Sequence, residues 1–366
     1  MTRIALLVNI VAPYRIPVYE VIAQDSQLQV FTSGGESNRT TWSNLTAEAT
    51  GIQFKKSWGF TLKIPRMKDG KVFDHRFVHI TPGYFFDLVA MRPHAVVCNE
   101  MGFRAMTALI YGSIFRKPVW VWWGGTLHTE ADVGRGKRML RNWFVRRVRR
   151  WISYGKTSTE YLVSIGVKPE AVLEIQNCVD RRRFSTDVEP VWTDLEHPVL
   201  LHVGQLINRK GIDLLLRAAA QVRRRGRTFS LVLVGGGDEK ANLEGLAAEL
   251  GLNNVHWKPA CKPAEMPGIY RSADVVVFPT LEDVWGLVAN EAILCGVPVL
   301  VSKFAGCNQE VVDPKNVFDP TDLDAFTEIL DRAVQGDIAP AEPERLKSFE
   351  EVGAMIRGDM RRVIGK

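Results

Sequence analysis

Asp283 and Glu291 stand eight residues apart across what reads as a strand-to-helix turn, in the stretch PTLEDVWGLVANEA (279–292) followed by Cys295-Gly296-Val297-Pro298-Val299. The apolar run 275–278 ends a strand, Pro279 and Thr280 turn the chain, and Gly286 lets the backbone approach a ligand before a helix begins near Leu287. Unpaired N–H groups at such a helix start favour phosphate oxygens. Glu291 falls about one turn further on, where a carboxylate accepts hydrogen bonds from ribose hydroxyls, and Asp283 precedes the helix within reach of a sugar. The stretch reads as a nucleotide-sugar site. The two carboxylates alone leave a plainer reading open, in which Asp283 caps a helix and Glu291 is a solvated side chain.

Further motifs occur in order along the chain. LLHVGQLINRKG (200–211) is a strand with a loop closed by Lys210-Gly211, and LVLVGGGD (231–238) is a strand with a glycine-rich turn. Asn177-Cys178-Val179-Asp180 precedes Phe184, YRSADVVVFP (270–279) leads into the carboxylate stretch, and Ala305-Gly306-Cys307 follows Val301. Lys210 at the end of its loop puts an ammonium beside a diphosphate, where positive charge meets the negative charge that develops as a diphosphate departs.

Over residues 177 to about 320 these motifs resemble the glycosyltransferase family 4 enzymes. The resemblance implies a GT-B fold, two Rossmann-like doubly wound α/β domains with an interdomain cleft, and retaining transfer of a sugar from a nucleotide-sugar donor. It implies catalytic roles for Asp283, Lys210, Glu291 and His128, and donor contacts from Gly204, Gln205, Arg209, Lys210, Gly235, Glu282, Trp285, Gly286, Leu287, Val288 and Glu291. Two positions depart from the pattern: Gln205 stands where the family has arginine, with Arg209 across the loop as its substitute, and Asp283 stands where it has glutamate, with Glu282 beside it. His128, in Trp123-Gly124-Gly125-Thr126-Leu127-His128, is the candidate for the family's histidine, and a plain loop histidine is the other reading. The acceptor belongs to the N-terminal half, where Asn9 to Arg15 replaces a Gly-Gly loop and Asn99-Glu100 ends another strand.

The rest of the chain must position these residues. With 366 residues, 46% hydrophobic and 24% charged, it divides most naturally into two domains. Short apolar runs at 4–9, 28–31, 95–98, 119–122, 151–154 and 172–176, then at 199–203, 229–234, 255–258, 275–278 and 298–302, predict strands. Helical patterns at 16–24 and 103–115, then at 213–225, 239–250, 266–271, 287–295 and 322–333, separate them. That alternation predicts parallel sheets covered on both faces, with ligands outside the strand carboxyl ends. The boundaries expected are an acceptor domain 1–184, a linker 185–198, a donor domain 199–345 and a C-terminal helix 346–366 that packs back on the first domain.

Five scattered cysteines without CxxC spacing indicate neither a zinc site nor a disulfide framework, and point to a reducing cytoplasmic setting. Asp322-Leu323-Asp324 imitates a metal-binding DxD but opens an amphipathic helix, so no metal and no cofactor beyond the donor co-substrate is expected, a UDP-sugar being slightly favoured over a GDP-sugar. No apolar run approaches the length of about 20 residues that crosses a bilayer, and 5–12 reads as a first buried strand rather than a signal peptide. Residues 135–150 carry eight Lys or Arg and no acid, with Leu140, Phe144, Val148 and Trp151 at helical spacing, and much of the net charge of +6 lies there. A basic helix of this kind suits an anionic membrane surface on the cytoplasmic face; a solvated helix face is the other reading, and nucleic acid is not expected because no nucleic-acid motif accompanies the charge. Together these features predict a glycosyltransferase acting on a glycan or lipid-linked acceptor in cell-surface polysaccharide or lipopolysaccharide assembly. A nucleotide-sugar epimerase of the same fold and a non-catalytic glycan-assembly scaffold are the alternatives.

Overall fold

The computed structural model describes residues 1–33, 50–68 and 71–365, and the chain divides into two compact units. Unit 1 comprises Met1–Ile64, His75–Val179 and Lys347–Lys366; unit 2 comprises Pro65–Asp74 and Asp180–Leu346. The stretch expected to link them, 185–198, falls inside unit 2, and Lys347–Lys366 falls inside unit 1.

Unit 1 holds the strands β1 (Thr2–Val8), β2 (Ser26–Thr32) and β3 (Ile52–Lys56); β4 (Phe60–Lys68) and β5 (Lys71–Ile80) pair separately and reach into unit 2. Unit 1 continues with β6 (Ala95–Asn99), β7 (Val119–Trp123), β8 (Trp151–Ser153) and β9 (Val172–Glu174). Its helices are α1 (Ile16–Ala23), α2 (Gly83–Met91), α3 (Phe103–Phe115), α4 (Arg135–Val145) and α5 (Lys156–Ser164). Unit 2 opens with α6 (Arg181–Ser185) and β10 (Val199–Val203), then α7 (Ile212–Arg224), β11 (Ser230–Val234), α8 (Lys240–Glu249) and β12 (Val255–Lys258). It goes on through α9 (Met266–Arg271), β13 (Val275–Phe278), α10 (Leu287–Leu294), β14 (Val299–Ser302), β15 (Val317–Phe318) and α11 (Leu323–Val334). Helix α12 (Phe349–Ile364) returns the chain to unit 1.

Each unit is an open, doubly wound parallel sheet. The orders are β3-β2-β1-β6-β7-β8-β9 and β12-β11-β10-β13-β14-β15, so the winding reverses between β1 and β6 in one and between β10 and β13 in the other. Such reversals splay the loops apart at the strand carboxyl ends and leave room for a ligand. Alternation along each strand supplies both faces. Val119, Val121 and Trp123 of β7 enter one core with Phe144 of α4 and Tyr161 of α5, whereas Trp120 donates its indole N–H to Asp359 of α12 at 2.7 Å and Trp122 meets Tyr19 of α1 edge-on. In unit 2, Leu200, Leu231, Leu233, Val275 and Val277 pack with residues of α7, α8 and α11, while α10 covers β13 and β14.

The basic stretch 135–150 is not one helix. Helix α4 ends at Val145, and Phe144, Val148 and Trp151 are buried in the sheet core, so the apolar side of the pattern faces inward. Arg141 is buried too, donating to the Met101 carbonyl at 2.8 Å and to Glu130 at 3.1 Å, and Lys137 pairs with the same Glu130 at 3.0 Å. Asp322 caps α11 by accepting from the Ala325 N–H at 3.0 Å, which leaves its motif a helix start. At the chain's other end α12 begins with a capping box between Ser348 and Glu351 and lies against α1 so closely that a Cβ at Gly353 would sit 2.5 Å from the Val21 Cβ. Gly353→Val is therefore expected to cost about 1–3 kcal/mol by overpacking, read as a lower urea midpoint with an unchanged m-value in equilibrium unfolding.

Candidate functional site

The loops leaving β10, β11, β13 and β14 are tied to one another at the carboxyl edge of the unit 2 sheet. The Leu206 N–H donates to the Gly236 carbonyl at 3.0 Å and the Leu281 N–H to the Arg209 carbonyl at 2.9 Å. The Gly306 N–H donates to the Asp283 carbonyl at 3.0 Å. These contacts require backbone to pass backbone. At Gly235, with φ +147°, a Cβ would stand 1.8 Å from the Gly204 carbonyl oxygen, so the two glycines of the first two loops make one packed junction.

On this frame the charged side chains converge. Lys210, nearly buried, places Nζ 2.7 Å from Asp283 Oδ2, and Arg209 Nη1 lies 3.9 Å from the same oxygen while donating to the Glu282 carbonyl at 2.7 Å. Burial pushes the Asp283 carboxyl up, but the Lys210 ammonium, the Arg209 guanidinium and the Trp285 N–H hold it below the usual aspartate range. Arg209 thus stands beside Lys210, where the substituted arginine of the sequence pattern was expected to act, and Gln205 is an exposed side chain of the same loop. A third cation comes from outside the motifs: Arg66 of β4 pairs with Glu282 at 2.5 Å. The sequence signal for this arm is the Asp69-Gly70 pair between alternating apolar runs, a hairpin signature.

Gly286 caps α10 with φ +101°, in contact range of the Phe278 ring, a conformation closed to other residues at low cost. The first-turn N–H groups of Leu287 and Val288 head this helix, as first-turn groups without helical acceptors do. Trp285 turns its indole inward instead: it is buried, with Nε1 donating to Asn290 Oδ1 at 2.9 Å, so it offers a ligand no ring face. Glu291 accepts from the Tyr270 hydroxyl at 2.7 Å. Burial pushes its carboxyl up to about 7 against the opposing pull of that hydroxyl and of Arg183. Beneath the first loop, burial pulls His202 down to about 4; its Nδ1 meets the Val277 carbonyl at 3.1 Å, and its Nε2 has no partner.

His128 belongs to unit 1, exposed in a turn between β7 and α4. At the carboxyl edge of that unit's sheet, Arg15 is buried, stacked 4.9 Å from the Trp122 ring and 4.8 Å from the Tyr154 ring, and it donates to the Tyr154 hydroxyl. Asn9 Oδ1, Arg15 Nε, Asn99 Oδ1 and Trp122 Nε1 are buried without hydrogen-bond partners. Asn9 follows β1, Asn99 ends β6 and Trp122 lies in β7, so these orphaned groups gather where the winding of the sheet reverses. Glu100, next to Asn99, has a positive φ of 61° and accepts from Arg104 at 2.7 Å.

Residues 187–351 match the family described as Glycosyl transferases group 1. The match takes in Lys210, Asp283 and Glu291. The "GDP-mannose-dependent alpha-(1-6)-phosphatidylinositol monomannoside mannosyltransferase" of Mycolicibacterium smegmatis is 34% identical over 202 residues, 50% of this chain and 51% of that protein. The "D-inositol 3-phosphate glycosyltransferase" of Corynebacterium jeikeium is 35% identical over 161 residues, 39% and 38% of the respective chains. The chain thus spans about half the length, or less, of these curated relatives. HepE of Anabaena, solved in complex with UDP, superposes with a TM-score of 0.72 at 16% identity over 100% of both chains, and so shares the GT-B fold.

The raised Glu291 predicts a pH effect on stability. The unfolded chain loses this proton near 4.5 and the folded chain near 7, so the folded state binds the extra proton between those values and loses stability as pH rises through the window. Glu291→Gln removes that loss. The stability of the variant relative to wild type should therefore be higher at pH 8 than at pH 4.5 by up to about 3 kcal/mol, checked by urea unfolding at both values.

Proposed function

We propose that the chain is a retaining glycosyltransferase that moves a sugar from a nucleotide-sugar donor held by unit 2 to a hydroxyl of a glycan or lipid-linked acceptor held by unit 1. The observation that carries this reading is the convergence of Lys210 and Arg209 on Asp283 where the sheet reverses, with the α10 amino terminus and Glu291 following in the next loop and helix. A diphosphate entering there takes up the ammonium and guanidinium charge that Asp283 holds in the free protein, and the Leu287 and Val288 N–H groups receive its oxygens. Asp283, its cations now shared, accepts from sugar hydroxyls, and Glu291 in its ionised form accepts from the ribose. In retaining chemistry on one face of the sugar, the acceptor oxygen forms the new bond as the diphosphate oxygen leaves, and that leaving oxygen takes the acceptor proton. Lys210 and Arg209 stabilise the negative charge that develops on it.

The orphaned Asn9, Arg15, Asn99 and Trp122 groups support a polar, hydroxyl-rich occupant for unit 1. His128 is proposed to serve the sugar from the turn it occupies. The lipid-linked class of acceptor agrees with the phosphatidylinositol glycoside in the mycobacterial relative's name. That name specifies GDP-mannose and HepE was solved with UDP, so titration with both nucleotides decides the base; the UDP-sugar is the expected donor. We place the enzyme on the cytoplasmic face of the membrane, in assembly of a cell-surface polysaccharide or lipopolysaccharide.

Lys210→Ala and Glu291→Ala are each expected to lower kcat/KM at least about tenfold, equivalent to about 1.4 kcal/mol of transition-state stabilisation, while the protein stays folded. Near-normal turnover by both variants on a confirmed donor would remove the assignment. Because protein cations meet the leaving charge, turnover should also persist in excess chelator; activity abolished by chelator and restored by manganese or magnesium would contradict this. Conversion of the donor without any acceptor would point instead to an epimerase.

A further inference from the structure

Unit 1 carries a second concentration of charge, at the edge of its sheet opposite to the loops just described. A groove of about 850 Å3 opens beside Pro118 and Val119 at the amino-terminal start of β7, between the end of α3 and the segment that follows α4. Arg116, Lys117, Arg147, Arg149 and Arg150 line it, and among the described residues none that lines it is acidic. The acid that α12 brings near this face, Asp359, is engaged by the Trp120 indole and by Arg362 at 3.3 Å. Five cations with no acid beside them among the described lining residues repel one another, so the groove is suited to an anion.

Its remaining wall is apolar. Ile110 and Ile114 are 49% and 60% exposed, Phe115 beside them is 43% exposed, and Val363 of α12 closes the end. Arg147 stacks on Trp143 at 4.4 Å, which fixes a guanidinium over an amphipathic ring at the mouth. A small hydrated anion has no use for exposed isoleucines, and the Trp143 ring is already stacked on Arg147 rather than open to a base. Phosphate beside an alkyl chain satisfies both walls: arginines take the phosphate oxygens in bidentate bonds, and the aliphatic side chains lie along the acyl chain.

We infer that this groove docks the protein on an anionic phospholipid bilayer by holding a lipid phosphate among Lys117, Arg147, Arg149 and Arg150 with its acyl chain against Ile110 and Ile114. The inference deepens the proposed membrane setting and rests on that reading for its purpose. It moves the contact away from the face of α4, whose apolar side and Arg141 are turned into the core.

The test is sedimentation with vesicles of phosphatidylcholine alone and of phosphatidylcholine with phosphatidylglycerol. Wild type should bind the anionic vesicles at low salt, and binding should fall steeply as the Debye length shrinks from about 10 Å at 0.1 M to about 3 Å at 1 M salt. The triple variant R147Q/R149Q/R150Q should lose at least tenfold in vesicle affinity, and I110S/I114S should weaken binding with every charge retained. R135Q/R138Q, on the exposed side of α4, should bind as wild type does, and all variants should keep the wild-type thermal transition and nucleotide affinity. Failure of wild type to bind anionic vesicles would overturn the proposal, as would equal loss in R135Q/R138Q. Saturable binding of glycerophosphate that displaces the vesicles would assign the groove to a soluble phosphate, and retention on a single-stranded oligonucleotide in preference to vesicles would assign it to nucleic acid; either result overturns it. Loss of nucleotide binding by wild type with vesicle binding intact would defeat the transferase reading and leave the groove standing.

Discussion

The Lys210–Asp283 pair is the contact on which the arrangement of unit 2 depends. It joins the loops that leave β10 and β13, the adjacent strands where the sheet reverses its winding, and neither partner is well exposed. Removing Lys210 would leave Asp283 charged in an enclosed setting, a cost that Arg209, 3.9 Å from the same oxygen, partly offsets. The protein meets that constraint with backbone: Leu281 bonds to Arg209, Gly306 to Asp283, and Gly211 approaches the Pro279 carbonyl as only a residue without a Cβ does. Glycines at these positions follow from holding two opposite charges at 2.7 Å at the end of a parallel sheet.

The two carboxylates of the same motif are driven in opposite directions by their surroundings. Burial works against ionisation in both, yet Asp283 has two cations and an N–H to hold its charge, whereas Glu291 has a hydroxyl and a guanidinium that fall short of offsetting burial. Asp283 is therefore charged in the free protein and Glu291 sits near neutrality, waiting on a donor of hydrogen bonds. Eight residues of sequence separate an electrostatic anchor from a hydrogen-bonding group whose charge a ligand stabilises.

The alternation of short apolar runs with helical patterns was legible through most of the chain because parallel strands buried on both faces are apolar throughout. The donor-side motifs were legible for a related reason: the glycines, Lys210, Asp283 and Glu291 follow one another at the ends of predicted strands. Three features were not. Arg66 reaches Glu282 from a strand pair more than two hundred residues earlier in the chain, a pairing that no local pattern encodes. The apolar residues after Leu140 kept helical spacing past the helix end, because Val148 and Trp151 lead into and occupy the next strand rather than a membrane-facing stripe. Trp285 sat inside the motif and looked available to a ligand, but the Asn290 amide five residues on accepts its indole and turns it inward. The acceptor side stayed unspecific in the sequence since Asn9, Asn99 and Trp122 gain meaning only when β1, β6 and β7 are laid side by side.

The packing of α12 on α1 carries a consequence for how the protein is made. Helix α1 leaves the ribosome before the main body of unit 2, and the helix that covers it follows the whole of unit 2 in the chain. Until α12 emerges, Val18 and Val21 lack the neighbour that Gly353 brings within contact, and the Trp120 indole N–H has no Asp359 carboxylate to accept its hydrogen bond. Unit 2 has all of its strands by then, so its sheet forms while unit 1 is still open on one side, and closing the longest loop in the chain comes last. Unit 1 is begun before unit 2 and finished after it, and during that interval a chaperone has an apolar helix face to hold.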